Sequence, residues 1–286
     1  MDNAIVKVSK LFYKTTFPAD MIFTKEDVST SDEKVDKLSR EYNIQYQACI
    51  GSLIYLLYTR VDLSFAVHKL AKFSANHDKV HFEVLIKLLR CIRDNKTLGL
   101  KYYTDLNDAP VTDILRQANI NTKNHLMDFS DSSWQDCPDT RRSTGVYNIF
   151  YQGGPIDHGT HVPGPVEQSS SESEYNAACT AGMALAHFIM LVHELLNEDP
   201  DMVPKEAPLI ILDSKSTMCM AKNGKDTKHT RHIARRMHFV RNGEKCKMHK
   251  IDGCEGGLQL AYIGTKNVSE PDLTPRMKYI MVILDN

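Results

Sequence analysis

The run Ser169-Ser170-Ser171-Glu172-Ser173-Glu174-Tyr175 opens a long helical pattern whose apolar positions are Ala177, Ala178, Ala181, Leu185, Phe188, Val192 and Leu196. At helical spacing Glu174 falls in line with Ala178, Ala181, Leu185, Phe188 and Val192, whereas Glu172 points nearly opposite. Glu174 therefore stands at the mouth of the stripe that must face a core. An unpaired charge there is costly and must find a partner or take up a proton. Two readings follow. Either Ser171 is the N-cap and Glu174, three residues on, reaches back to it as a capping box, or the carboxylate is aimed at a site.

The rest of the chain decides what could share that site. Residues 1–40 mix a short apolar patch (Leu11, Phe12, Tyr13, Phe17) with the polar run Lys25 to Lys37 and read as an irregular N-terminal segment. From Tyr42 to Asn95 three successive amphipathic helices are expected, carried by Tyr46, Ile50, Leu53 and Leu57, then Leu63, Ala66 and Leu70, then Phe82, Leu85, Leu89 and Ile92. Leu98 to Tyr103 reads as a short strand, and the Asn- and Asp-rich run Thr104 to Lys123 as a connector. The chain thus divides into segments 1–40, 41–122 and 123–286.

Beyond the connector the period becomes that of a sheet. His125–Asp131, Ser143–Tyr151 and a third strand near Ile156–Val162, after the turn Gly153-Gly154-Pro155, precede the Glu174 helix. Ala207–Leu212 is nearly continuous apolar sequence, the mark of a strand buried on both faces. A short helix near Met218, a basic helical segment from His229 to Arg241, a strand near Lys247–Ile251 and a last helix opening at Thr274-Pro275 complete the order. The expected fold is a mixed α/β sheet with helices on both faces, preceded by a mainly helical segment.

Asp131 ends one strand, Asp213 ends the buried strand, and Glu174 opens the helix between them. Carboxyl ends of neighbouring strands lie side by side in such a sheet, so the three acids can converge at one edge. Three carboxylates together repel unless a cation neutralises them. All-oxygen donors suit Mg²⁺ or Mn²⁺, and two such ions about 3.5–4 Å apart activate water against a phosphodiester. Metal-assisted phosphodiester hydrolysis is the chemistry these residues point to.

Composition bears on the partners. The formal net charge of −1 excludes a globally basic nucleic-acid binder but allows one basic face. Between Lys225 and Lys250 nine Lys and Arg stand against Asp226 and Glu244, and Lys228, Arg231, Arg235 and Arg236, with Arg141 and Arg142, are the candidate phosphate contacts. Their alternative is a solvated face. Seven scattered cysteines read as reduced thiols, the start lacks a secretory pattern, and the apolar run Gly51–Tyr58 is too short for a bilayer, so a cytoplasmic or nuclear protein without a membrane partner is expected. The spacings of His229, His232 and His238, and of Cys246, His249 and Cys254, match no zinc finger or ribbon. Trp134, the sole tryptophan, is expected to pack beside the acidic site rather than to serve as a base-stacking platform.

These motifs together resemble the C-terminal part of the copia-type retrotransposon Pol polyprotein, its reverse-transcriptase connection segment followed by ribonuclease H. Phe129-Ser130-Asp131-Ser132-Ser133-Trp134 is similar to Y-S-D-A-D-W, Asp139-Thr140-Arg141-Arg142-Ser143-Thr144-Gly145 to D-x-R-R-S-T-S-G, and Ser170-Ser171-Glu172-Ser173-Glu174-Tyr175 to S-T-x-E-A-E-Y. Leu212-Asp213-Ser214-Lys215-Ser216 is similar to C-D-N-Q-S, and Thr230-Arg231-His232-Ile233 to T-K-H-I. Upstream, Tyr46 to Leu56 and Thr59-Arg60-Val61-Asp62-Leu63 to Val67 resemble Y-x-x-x-V-G-S-L-x-Y-L and T-R-P-D-I-x-F-A-V. The resemblance implies a ribonuclease H-like fold, Asp131, Glu174 and Asp213 as catalytic and metal-binding carboxylates, a Mg²⁺ or Mn²⁺ cofactor, an RNA/DNA hybrid as partner, and other retroelement polyprotein parts as companions. It implies Asp131 and Asp213 bridging metal and Glu174 on the second ion.

The departures are specific. The family's fourth carboxylate lies in A-D-I-x-T-K, and here Tyr262 stands at that position in Ala261-Tyr262-Ile263-Gly264-Thr265-Lys266. A phenol is a poor Mg²⁺ ligand at neutral pH. Ser133 replaces the second Asp of D-A-D-W, and no Y-x-D-D polymerase motif occurs. The resulting expectation is a ribonuclease H-type hydrolase impaired at its fourth ligand. The alternative is a catalytically inactive remnant that at most binds nucleic acid.

Overall fold

The structure, a computed structural model, describes residues 23–24, 32–196, 206–222, 231–268 and 270–284. The chain forms two compact units, 1–100 with 266–286, and 101–265. These bounds differ from the segments 41–122 and 123–286: the connector joins the sheet unit, and the C-terminus belongs with the helices.

The first unit begins with α1 (Asp32–Tyr42), α2 (Tyr46–Leu56), α3 (Ser64–Ala71) and α4 (Lys79–Asp94), followed by the two-residue strand β1 (Leu98–Gly99). α1 lies partly within the segment read as irregular. Its charges mask a short stripe in which Leu38 is buried and Tyr42 stacks on Phe82 at 5.1 Å. The Tyr46 ring stacks on His77 at 4.2 Å and its hydroxyl donates to the Leu70 carbonyl at 3.1 Å, tying α2 to α3. Between those helices Arg60 and Asp62 form a buried pair at 2.8 Å, and Arg60 also donates to the Asn95 carbonyl at 3.1 Å. A buried guanidinium is tolerable only with such partners, which accounts for both charges in Thr59-Arg60-Val61-Asp62.

In the second unit the expected connector contains a short helix, α5 (Val111–Gln117), with Val111, Ile114 and Leu115 buried. The strands are β2 (Leu126–Ser133), β3 (Thr144–Tyr151), β4 (Gly154–His161), β5 (Leu209–Leu212) and β6 (Lys250–Gly253). Among them lie α6 (Ser170–Leu195), α7 (Lys215–Lys222) and α8 (Ala234–Lys245), and α9 (Tyr262–Thr265) follows β6. The sheet order is β4-β3-β2-β5-β6. β2, β3 and β4 pair antiparallel, while β2–β5 and β5–β6 pair parallel. The β3–β4 hairpin turns on Gln152 and Gly153, both at positive φ, and a Cβ on Gly153 would meet that of Ala109 at 2.1 Å.

Seven of the eight β2 residues are buried in unbroken succession, so both faces of the sheet are covered. On one face Leu126, Ile149, Ile210, Leu212 and Ile251 pack with Tyr175, Ala178, Ala181, Leu185 and Ile189 of α6 and with Met237 and Val240 of α8. The alternate positions, Met127, Phe129, Phe150 and Ile211, are fully buried on the other. This is a mixed five-stranded sheet with helices packed against it, the α/β class the sequence led one to expect. By length and composition α6 could cross a membrane, unlike the Gly51–Tyr58 run; here its Tyr175-to-Ile189 stripe covers the sheet. The chain then returns to the first unit as α10 (Glu270–Ile280) and β7 (Val282–Ile283), which pairs with β1. α10 begins a turn earlier than Thr274 and carries Pro275 inside it.

One residue opposes the packing. Asp128 is fully buried on β2, and burial, with the Asp157 carboxylate adding to it, pushes its carboxyl well above the usual range. Because its folded value lies above the unfolded one, its contribution to stability is fully present below about pH 4 and is lost progressively as pH rises above that. Asp128→Asn is expected to stabilise the protein by about 1–3 kcal/mol at pH 8, with the gain shrinking toward pH 4; thermal denaturation at both pH values measures it.

Candidate active site

Parallel pairing places two of the acids. β2 and β5 are in register at Phe129↔Ile211, so two residues further along Asp131 and Asp213 lie level on adjacent strands. Asp131 sits inside β2, opposite Val146 of β3, and is almost fully buried. Asp213 follows β5 directly and is partly exposed. Gly256 passes so close that a Cβ there would meet Asp213 Oδ2 at 3.3 Å.

Glu174 arrives from α6, and the helix start differs from the expected one. The N-cap is Ser169, whose hydroxyl accepts from the Glu172 amide at 3.2 Å, while Glu172 Oε2 accepts from the Gln168 amide at 2.8 Å. The cap is thus made by Ser169, with Glu172 reaching back to the residue before it, and not by Ser171 and Glu174. Glu172 also meets His232 Nε2 at 3.1 Å. Glu174 is left free of the cap.

One oxygen from each of Asp131, Glu174 and Asp213 lies within 4.8 Å of the others. Burial, then the charges of Asp131 and Asp213, raise the Glu174 carboxyl to about 8, with Ser132 alongside pulling the other way. Glu174 Oε2 is buried without a hydrogen-bond partner. Three hard oxygen donors, one of them orphaned and raised in pKa by burial and by its acidic neighbours, fit a divalent cation such as Mg²⁺ or Mn²⁺. They are the ones the sequence nominated.

Two supporting residues escaped sequence reasoning. Gln259 is fully buried, and its amide donates to the Ser130 carbonyl at 3.0 Å and the Ile211 carbonyl at 3.1 Å. It bridges β2 and β5 at the end of their paired stretch, just before the two aspartates. Its own carbonyl accepts from the Ala261 amide at 3.1 Å. Thr265 of α9 donates its hydroxyl to Asp131 Oδ2. The sequence signal nearest them is the stretch Ala261–Lys266, which contains Thr265 but not Gln259. Tyr262 opens α9, half-buried, and its carbonyl accepts from the Thr265 hydroxyl at 3.1 Å.

The basic candidates divide. Arg141 and Arg142 are exposed in the β2–β3 loop; Arg235 is exposed and Arg236 half-buried on α8. Arg231 opens a single 3-10 turn before α8, and Lys228 lies outside the described residues. Arg241, counted in the basic run, is buried and donates to the Met220 carbonyl, so it is a structural cation.

Against this geometry the likenesses of the chain can be weighed. It is 24% identical over 230 residues to the retrovirus-related Pol polyprotein from transposon RE1 of Arabidopsis thaliana, covering 80% of this chain and 14% of that protein. It is 26% identical over 221 residues to the Pol polyprotein from transposon TNT 1-94 of Nicotiana tabacum, covering 76% and 15%. This chain is a homologue of the retrovirus-related Pol polyproteins of copia-type transposons. It spans about a seventh of the length of these relatives. No family model matches it. Among solved structures, RNase H1 from the archaeon Halobacterium salinarum is 14% identical with a TM-score of 0.34, over 48% of this chain and 89% of that one.

Two outcomes are expected of variants in this retrotransposon homologue. Because the Glu174 carboxyl is raised to about 8, it destabilises the fold increasingly from about pH 4.3 upward. Glu174→Gln should therefore raise the melting temperature at pH 7 by a few degrees and leave it nearly unchanged near pH 4. Gln259→Ala should lower stability by about 1–3 kcal/mol, read by denaturant titration, since it strands two buried carbonyls.

Proposed function

We propose that the unit carrying Asp131, Glu174 and Asp213 is a divalent-metal-dependent hydrolase of the RNA strand in RNA/DNA hybrids, impaired because Tyr262 stands where the resemblance implies a fourth carboxylate. The observation that carries the reading is the convergence of three carboxylate oxygens within 4.8 Å. Asp131, Glu174 and Asp213 would hold Mg²⁺ or Mn²⁺, which when bound polarises the scissile phosphate and lowers the pKa of attacking water.

The chain's own residues set the conditions. Gln259 fixes the spacing of the strands that bear the aspartates, and Thr265 fixes the rotamer of Asp131. Glu174, its carboxyl raised to about 8 by burial and then by the charges of Asp131 and Asp213, would take its charged form more readily when a cation offsets the cluster's charge. Exposed Arg141, Arg142 and Arg235 supply positive charge for the hybrid's phosphates. Other parts of a retroelement polyprotein are the protein companions this reading implies.

One observation favours the second reading, an inactive remnant that at most binds nucleic acid. Among the described residues the acidic cluster has three members, and α9 contributes to it a threonine hydroxyl rather than a carboxylate. Cleavage of a labelled RNA/DNA hybrid in Mg²⁺ or Mn²⁺ separates the two. Tyr262→Asp should raise the rate at least about tenfold over the parent chain, and Asp213→Asn should abolish it in both backgrounds. Silence of the parent chain and of the Tyr262→Asp variant alike would select the second reading.

A further inference from the structure

Trp134 does not pack away beside the site as a core residue. It remains 43% exposed, three residues beyond Asp131 and so roughly 10 Å along the chain from it. Its indole N–H donates to the Glu167 carbonyl at 3.1 Å. Glu167 is itself buried, and its carboxylate accepts from the Asn176 amide on α6, two residues past Glu174. The turn of helix that delivers Glu174 thereby also anchors the segment that holds the indole.

The loop that Trp134 opens is built to keep its shape. Gln135 and Arg141 take left-handed backbone conformations, at φ 52° and 54°. The Gln135 amide donates to the buried Ser143 hydroxyl at 3.2 Å, the Thr144 hydroxyl to Asp136 at 2.7 Å, and the Cys137 and Arg141 amides to the Arg142 and Cys137 carbonyls. That frame carries Arg141 and Arg142 into solvent, neither paired with a carboxylate among the described residues. An aromatic surface held by its own N–H and two exposed guanidinium groups, on the loop that follows the strand bearing Asp131, are complementary to a nucleic-acid strand: sugars and any unpaired base pack on the ring while phosphates meet the arginines.

We infer that Trp134 is a contact residue for the nucleic-acid strand, a preorganised stacking surface flanked by Arg141 and Arg142 that sets how tightly the hybrid is held beside the carboxylates. The inference rests on the proposed hybrid-directed function but concerns binding, which requires no turnover.

As the sole tryptophan, Trp134 reports on its own contact. The full chain is titrated with a labelled RNA/DNA hybrid in EDTA, reading the anisotropy of the label and the tryptophan emission together. Saturable binding with matching quenching is expected. Trp134→Leu should weaken binding about tenfold, Trp134→Phe should retain most of it, and Arg141→Ala should reduce the salt dependence, with melting temperatures confirming that each variant folds. Binding by anisotropy with unchanged emission, or equal affinity of Trp134→Leu, overturns the contact while leaving hydrolysis to its own assay. Absence of hybrid binding overturns it as well. Quenching and a Trp134→Leu defect in a chain that cleaves nothing would uphold the contact and count against the hydrolase.

Discussion

The parallel pairing of β2 with β5 is the constraint on which the site depends. It holds for only three residue pairs, ending at Phe129↔Ile211, and two residues later the strands present Asp131 and Asp213 at the same level. Where the ladder ends, Gln259 donates to one carbonyl from each strand, so the backbone stays satisfied and the two strands stay linked just before the carboxylates. A β-strand cannot make this link alone, and the side chain comes from a segment about fifty residues beyond β5.

Electrostatics then sets the cost of the arrangement. Gathering Asp131, Glu174 and Asp213 in a partly dehydrated corner raises Glu174 to about 8, a penalty the free protein carries. α6 tolerates it because its capping is handled by Ser169 and Glu172, so the helix does not need Glu174 for its own end. Asp128, on the same strand as Asp131 but among apolar residues, bears a similar penalty without a comparable cluster of acids. The first unit handles its buried charge differently, matching Arg60 with Asp62 and the Asn95 carbonyl so that the two charges offset each other.

Much of the sheet was legible because its signals are local. The alternation and length of β2, β3 and β5 and the turn at Gly153 follow from residues within ten positions, and the three carboxylates stood out because the sequence pattern places each close to the end or start of an element. Other features were hidden for physical reasons. α1 is so charged that its short apolar stripe emerges only when Tyr42 finds Phe82. Arg241 read as part of a basic surface until the fold buried it against Met220. The Ser171–Glu174 spacing satisfied the capping rule as well as Ser169–Glu172 does, and only the backbone at Ser169 distinguishes them.

By itself, then, the amino-acid order determined the period of each element, the strand–helix succession of the sheet unit and the identity of its acids, since these depend on neighbours along the chain. Tertiary structure alone decided that Gln259 spans two strands, that Thr265 holds Asp131, that the C-terminal segment returns to pair with β1, and that Trp134 stays open to solvent. Each of those depends on groups far apart in sequence brought within hydrogen-bonding distance or left outside the core. Such contacts come from how layers pack, and no local pattern encodes them.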